Sequence, residues 1–176
     1  NRGPAVTLAM LPEAGANGDS QHPRTRVELV RAQQKPSFMA ESFFGALTSV
    51  IFSETGSCSS VVLITSPNPA EGKTNTACNL AITWAQMAGR ILLIDGDLRK
   101  PQLHGIFDLP NDYGLSELLH DERPIDEYPL ERLVRGTSIG NLCVLPGGRQ
   151  TSAVSRGLRS ARMAQLLCRF RSEFDA

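Results

Sequence analysis

At 176 residues with 41% hydrophobic content, the chain has the size of one domain and enough apolar side chains to bury a core. Lysine plus arginine and aspartate plus glutamate number 18 each, so no global field draws the protein onto nucleic acid or anionic lipid, and partners are to be sought at local sites. Cys58, Cys78, Cys143 and Cys168 form no C-x-x-C pair and lie near no histidine cluster, which reads as reduced thiols in a cytosolic protein and against a zinc site.

No stretch approaches the roughly 20 apolar residues of a membrane span, and none resembles a signal peptide. The first residue is Asn1 rather than methionine, which suggests a piece of a longer protein. Residues 1–36 hold one apolar patch, "VTLAMLP", followed by a polar stretch rich in breakers and charge. That composition predicts a largely irregular linker. From Ser37 the pattern changes: Phe38, Phe43, Ala46, Leu47, Val50 and Ile51 recur at helical spacing behind a candidate Ser37 cap, predicting a core-packing helix.

After the turn "ETGSCSS", the run Val61 to Thr65 reads as a buried strand, and Thr74 to Met87 as a helix. A second apolar strand follows at Ile91 to Asp95. Two continuous apolar strands separated by a helix predict a βαβ unit with parallel, doubly covered strands. Further on, "GLSELLHD" predicts a short helix, "IDEYPLERLVRG" a partly helical stretch, and "NLCVLPGG" a third strand with a glycine turn. "SRGLRSARMAQLLCRFRSEF" predicts an amphipathic helix. The fold class implied is α/β, with a parallel, doubly wound sheet that is incomplete at the C-terminus.

Between the first strand and its helix lies "SPNPAEGKTN", Ser66 to Asn75. A loop joining a buried strand to a helix N-terminus aims backbone N–H groups at one spot, reinforced by the helix dipole. Pro69, Ala70, Glu71, Gly72, Lys73, Thr74 and Asn75 make up the predicted cradle for nucleotide phosphates. Gly72 permits close backbone approach, Lys73 reaches the outer phosphates, and the Thr74 hydroxyl is a magnesium ligand. Pro67 stands where the usual pattern starts with glycine, so the loop is a variant; a plain βα turn with a solvated lysine is the alternative.

In "ILLIDGDLRKP", Asp95 ends the second strand and Asp97 follows, placing both carboxylates at the carboxyl edge of the sheet. Such carboxylates hold magnesium or orient and deprotonate a hydroxyl, and Arg99 and Lys100 add positive charge near the phosphates. A solvated turn is the competing reading. His104 and His120 read as packed or surface histidines, Trp84, Cys78 and Met87 as helix packing. Arg156, Arg159, Arg162, Arg169 and Arg171 read as a solvated helix face rather than a nucleic-acid site.

"TSPNPAEGKTNTACNLA", "LLIDGDLRKPQLHGIFDLPNDYGLSELL" and "LPGG" with "SARMAQLLCRFRSEFD" together resemble the ATP-binding domain of bacterial tyrosine kinases of the capsule and exopolysaccharide type, relatives of the MinD and ParA ATPases. The resemblance runs from Glu41 onward. It implies a P-loop kinase domain over residues 37–176 that binds ATP and magnesium through Lys73 and Thr74, with Asp95 and Asp97 as the Walker A′ pair that serves catalysis and the metal. It also implies phosphorylation of tyrosines on a protein substrate or neighbouring subunit, and control of polysaccharide export. "VTLAMLP" is similar to the segment after the last membrane span in kinases fused to a chain-length regulator, which implies a place at the inner face of the membrane through an upstream span.

The sequence departs from that pattern at three points. The family's Walker B strand would follow Phe174-Asp175, so residues 37–176 read as truncated before it. Tyrosines are limited to Tyr113 and Tyr128, with no cluster. Glu41 is followed by Phe44 and Leu47 where the family's docking helix carries arginines, so a homo-oligomer would dock through altered contacts. A MinD/ParA-like ATPase with water as acceptor, and an ATP-binding regulatory module without phosphotransfer, stay open as alternatives.

Overall fold

The computed structural model describes residues 6–10, 38–53, 60–68, 70–87, 89–150 and 157–174. Its elements in chain order are β1 (Val6–Met10), α1 (Phe38–Ser53), β2 (Ser60–Ile64), α2 (Lys73–Met87), β3 (Ile91–Ile94), α3 (Leu103–Ile106) and α4 (Leu115–His120). A 3-10 turn (Ile125–Glu127), α5 (Leu130–Leu133), β4 (Arg135–Gly136), β5 (Leu142–Leu145) and α6 (Ala161–Glu173) complete them. The sheet has five strands in the order β2-β1-β3-β5-β4. β2, β1, β3 and β5 run parallel, and β4 returns antiparallel to β5.

The α/β architecture is the expected one, but its centre is not. The patch "VTLAM", assigned to an irregular linker, is a strand lying between β2 and β3, with Leu8 opposite Val62 on one side and Leu93 on the other. Hydrogen bonding on both edges outweighs the breaker-rich surroundings that led the composition to suggest irregularity. The other residues of the 1–36 stretch lie outside the described residues.

Alternation along β3 sorts its side chains onto two faces. Ile91 and Leu93 pack with Ala77, Cys78, Ala81, Ile82 and Trp84 of α2 and with Leu142 and Val144 of β5. Leu92 and Ile94 pack with Leu145, with Leu115 and Leu118 of α4, and with Met163, Leu166 and Phe170 of α6. β3 is thus doubly covered. Among the described residues β2 is covered on one face only: Val62 and Ile64 lie on the α2 side, whereas Val61 is 38% and Leu63 50% exposed.

Two helix expectations change. α1 has the expected span and lies on α2; of its expected core positions Phe43 is half-buried and Ala46 exposed, and the side chains of Phe38, Leu47, Val50 and Ile51 lie outside what the structure describes. Met87, expected to pack, is 44% exposed at the end of α2. α6 starts at Ser160, whose hydroxyl accepts the Met163 amide as an N-cap. Its arginines are not all solvated: Arg162 Nε donates to the Leu118 carbonyl at 2.5 Å, and Arg169 donates to the carbonyls of Ile125 and Tyr128, the latter at 2.7 Å. These bonds tie α6 to α4 and to the 3-10 turn. No helix among the described residues is long and apolar enough to cross a membrane.

Candidate phosphate-binding site

Parallel strands deliver the two sequence motifs to the same edge of the sheet, because Met10 pairs with Ile64 while Ala9 pairs with Ile94. The loop from Ile64 to Lys73 is shaped by its own polar groups. Ser66 Oγ donates to the Asn68 carbonyl at 3.0 Å, and Asn68 Nδ2 donates to Glu71 at 2.6 Å. Gly72 takes φ +86° and Ala70 φ +61°. The left-handed region is cheap for glycine and costs alanine roughly 1 kcal/mol or more, so the loop is held in a specific form. The Thr76 amide donates to the Gly72 carbonyl at 2.9 Å, starting α2 immediately behind the turn.

Lys73 and Asp97 meet. The lysine Nζ lies 3.7 Å from Asp97 Oδ2, with the two side chains only 9% and 14% exposed. Thr74 and Asn75 are half-buried beside them, and Asn75 accepts Asn79 Nδ2 at 2.6 Å along the helix. Glu71 points its carboxylate back into the loop at Asn68. Arg99 is exposed and is not drawn into these contacts. Pro69 lies outside the described residues.

Asp95 is fully buried, and its two oxygens accept three backbone amides: Asp97 at 3.2 Å, Gln102 at 2.8 Å and Leu103 at 2.9 Å. Burial pushes its pKa up to about 6, held back from rising further by the amides of Leu103, Gln102 and Asp97. Burial, with the charge of Asp95 adding, pushes the neighbouring Cys78 thiol up to about 12, which leaves it unreactive. These bonds fix the 96–103 loop, including the amide of Asp97, and leave acceptor capacity on the Asp95 carboxylate, since Oδ1 takes a single amide at 3.2 Å. Thr74, Asp95 and Asp97 are the side chains here with the chemistry to hold magnesium.

A third loop, Pro146 to Arg149, lies beside the Asp95 strand end, where a Cβ on Gly147 would meet Pro101 and approach the Asp95 carbonyl, and its fastening was missed by sequence reasoning. Asn111 brackets Gly148, donating Nδ2 to its carbonyl at 2.7 Å and accepting its amide at 2.9 Å. Glu117 accepts the Gly114 amide at 2.9 Å, the backward half of a capping box, and the Arg149 amide at 3.1 Å. The Leu115 and Ser116 amides donate to the Pro146 and Gly147 carbonyls at 2.8 and 2.9 Å. The glycines in "DYGLSE" and "PGG" were the available signal, since a Cβ on Gly114 would strike the 146–148 backbone.

The histidines behave as packing groups. Burial lowers the pKa of His104, and His120 Nδ1 lies 2.7 Å from the Ser116 carbonyl.

No family model matches the chain. Among known proteins it is similar to CapB of Staphylococcus aureus, with 33% identity over 153 residues, covering 86% of this chain and 65% of CapB. It is also similar to the tyrosine-protein kinase YwqD of Bacillus subtilis, with 34% identity over 125 residues, covering 71% of this chain and 51% of YwqD. The solved kinase domain of the Escherichia coli tyrosine kinase ETK superposes with a TM-score of 0.72 at 25% identity, over 94% of this chain and 64% of that one. The chain thus spans about half to two thirds of the length of these three relatives, and about a fifth of longer ones such as the tyrosine-protein kinase etk of Escherichia coli.

Proposed function

We propose that this chain, which belongs to the bacterial tyrosine-kinase family, is an ATP-dependent protein-tyrosine kinase domain of the capsule and exopolysaccharide type. The observation that carries the reading is the pairing of Lys73 with Asp97 at the mouth of the Gly72 loop. A largely covered lysine held by a carboxylate at the end of an exposed loop is positioned to exchange that partner for the outer phosphates, while the loop amides and α2 N-terminus take the remaining charge. Magnesium, when bound, would neutralise charge on the phosphates, and Thr74, Asp95 and Asp97 are the residues that would hold it.

In the reaction so assigned, the tyrosine hydroxyl oxygen forms a bond to the γ-phosphorus as the bond from that phosphorus to the bridging oxygen of ADP breaks. The phenolic proton passes to a carboxylate, for which Asp97 is the available group. Asp95 acts through Asp97 as a positioning residue, because its carboxylate holds the Asp97 amide. The relatives' names favour tyrosine over water as acceptor. A tyrosine-bearing protein or a neighbouring subunit fits as substrate, and a membrane chain-length regulator as partner.

The test compares the parent chain with Lys73→Met, measuring magnesium-ATP binding by calorimetry and transfer of labelled phosphate to a tyrosine-bearing peptide. The variant should bind ATP at least about tenfold more weakly, the loss of one charge-assisted contact, with an unchanged circular dichroism spectrum. Unchanged affinity in the folded variant would remove the phosphate-site assignment. A chain that binds ATP but releases phosphate only to water would shift the reading to the ATPase alternative.

A further inference from the structure

Away from the Gly72 loop, the segment before α4, the 3-10 turn, α5 and β4 enclose a hollow of about 450 Å³ lined by Tyr113, Arg123, Glu127, Tyr128, Arg132 and Arg135. The volume falls at the lower end of ligand pockets, roughly 300–1,000 Å³, and suits one ring with one charged group rather than an extended chain. Three guanidinium groups converge here on two phenols.

Their states differ. Arg123 is committed to Asp121, with Nη2 at 2.7 Å and Nε at 3.1 Å from the same carboxylate oxygen, and its guanidinium carbon lies 4.7 Å from the centroid of the Tyr128 ring. That pair is close to neutral and makes a flat wall with the tyrosine. Arg132 and Arg135 form no ion pair with a described residue. Arg135 donates Nη1 to the Glu131 carbonyl at 3.4 Å, and its Nε is buried without a hydrogen-bond partner. The hydroxyls of Tyr113 and Tyr128 are also buried, and Tyr128 shares hydrogen bonding with Asp121 and Tyr113, which leaves Arg135 Nε as the donor here most in need of an acceptor. Burial holds the Tyr128 phenol above its ordinary titration range, so it stays an O–H donor.

Buried donors normally find acceptors, and Arg135 Nε at this hollow calls for an acceptor oxygen. Two cations without an ion-pair partner among the described residues, beside aromatic walls, favour an anion carried on a flat ring, the chemistry by which arginine clusters recognise phosphorylated side chains. Glu127 at the exposed rim opposes such an anion and sets a limit on its affinity.

We propose that this hollow receives a phosphorylated phenol, the side chain of a phosphotyrosine, with its phosphate on Arg132 and Arg135 and its ring against the tyrosine walls. The source of the ligand rests on the kinase reading, since phosphotyrosine is what that reaction makes. A modified segment of one chain would then be held on another at a site separate from the Lys73–Asp97 pair.

The experiment titrates the full chain with phenyl phosphate, using inorganic phosphate and phenol as comparison probes, by calorimetry or chemical-shift perturbation. Phenyl phosphate should bind saturably and more tightly than either comparison probe. Arg132→Gln and Arg135→Gln should each weaken it about tenfold, the loss of one charge-assisted contact. Glu127→Gln should tighten it, and none of the three should change magnesium-ATP affinity. Arg132 is exposed, so its variant tests the site even where Arg135→Gln unfolds the β4 region. Absence of saturable binding, equal binding of inorganic phosphate, or an unaffected Arg132→Gln would each overturn the proposal. Phenyl phosphate bound as described by a chain that transfers no phosphate would uphold the site and remove the kinase reading. Transfer without phenyl phosphate binding would do the reverse.

Discussion

Gly114→Ala tests the fastening of the third loop. Gly114 has an extended backbone, φ −166°, which any residue adopts, so the substitution carries no conformational penalty of its own. Its cost is steric. A Cβ there would lie 2.8 Å from the Pro146 carbonyl carbon and closer still to its oxygen and to the Gly148 amide, where ordinary contact begins at 3.4 Å. All three are backbone atoms and cannot rotate away, so the two loops must part by more than half an ångström. Parting strains the Leu115–Pro146 and Ser116–Gly147 hydrogen bonds, now 2.8 and 2.9 Å, and the paired bonds of Asn111 to Gly148. At about 1 kcal/mol for each bond lost, and more where a buried group is left unpaired, the expected destabilisation is about 2–4 kcal/mol. That is a large part of the ~5–15 kcal/mol that holds a domain together. Urea unfolding followed by circular dichroism measures it, with Gly105→Ala as control because a Cβ there meets nothing within 4 Å. A Gly114→Ala chain within about 0.5 kcal/mol of its parent, the range of ordinary surface changes, would refute the loop contact.

Two further outcomes concern the sheet and its buried carboxylate. Asp95 has a folded pKa raised to about 6 from 3.8, so its contribution to stability is fully present below the unfolded pKa and is lost as pH rises through about 6. A two-unit shift corresponds to about 3 kcal/mol. Asp95→Asn should therefore be more damaging near pH 4 than near pH 8 in urea titrations, and parallel pH profiles for the two proteins would contradict the buried-carboxylate account. Leu8→Pro removes a backbone donor from a strand paired on both sides and should cost about 3 kcal/mol or more; an unchanged unfolding midpoint would place β1 outside the sheet.

The parts of the molecule legible in the sequence are those whose chemistry is local. Gly72, Lys73 and Thr74 are contiguous, and the apolar runs on either side state the strand and helix that give them meaning. Asp95 and Asp97 were legible as a pair at the sheet edge, but not their division of labour, because that depends on Gln102 and Leu103 folding back to occupy the Asp95 oxygens. β1 was not legible. Five residues among glycines and prolines carry too little pattern to declare a strand whose partners lie some fifty and eighty-five positions away. Arg162 and Arg169 were misread for a related reason. Their helix shows an ordinary amphipathic pattern, and nothing in it announces the carbonyls of Leu118, Ile125 and Tyr128 that receive them.

The placement of β1 also explains why lysine carries the contact across the site. β2 and β3 are not neighbours; one strand separates them. Two strand spacings of about 4.8 Å keep the backbones of β2 and β3 roughly 10 Å apart, an interval that side chains carried beyond the strand ends can bridge. A long, flexible cationic side chain spans most of that interval, and the 3.7 Å between Lys73 and Asp97 is the result. The strand in the intervening lane ends at Met10 and brings no carboxylate to the edge. Among the described residues, this edge offers a cation the strand-end pair Asp95 and Asp97 and, from the loop after β2, Glu71, whose carboxylate is turned to Asn68. On the proposed kinase reading, a phosphate that draws Lys73 away from Asp97 would leave that carboxylate available to a metal or to a proton.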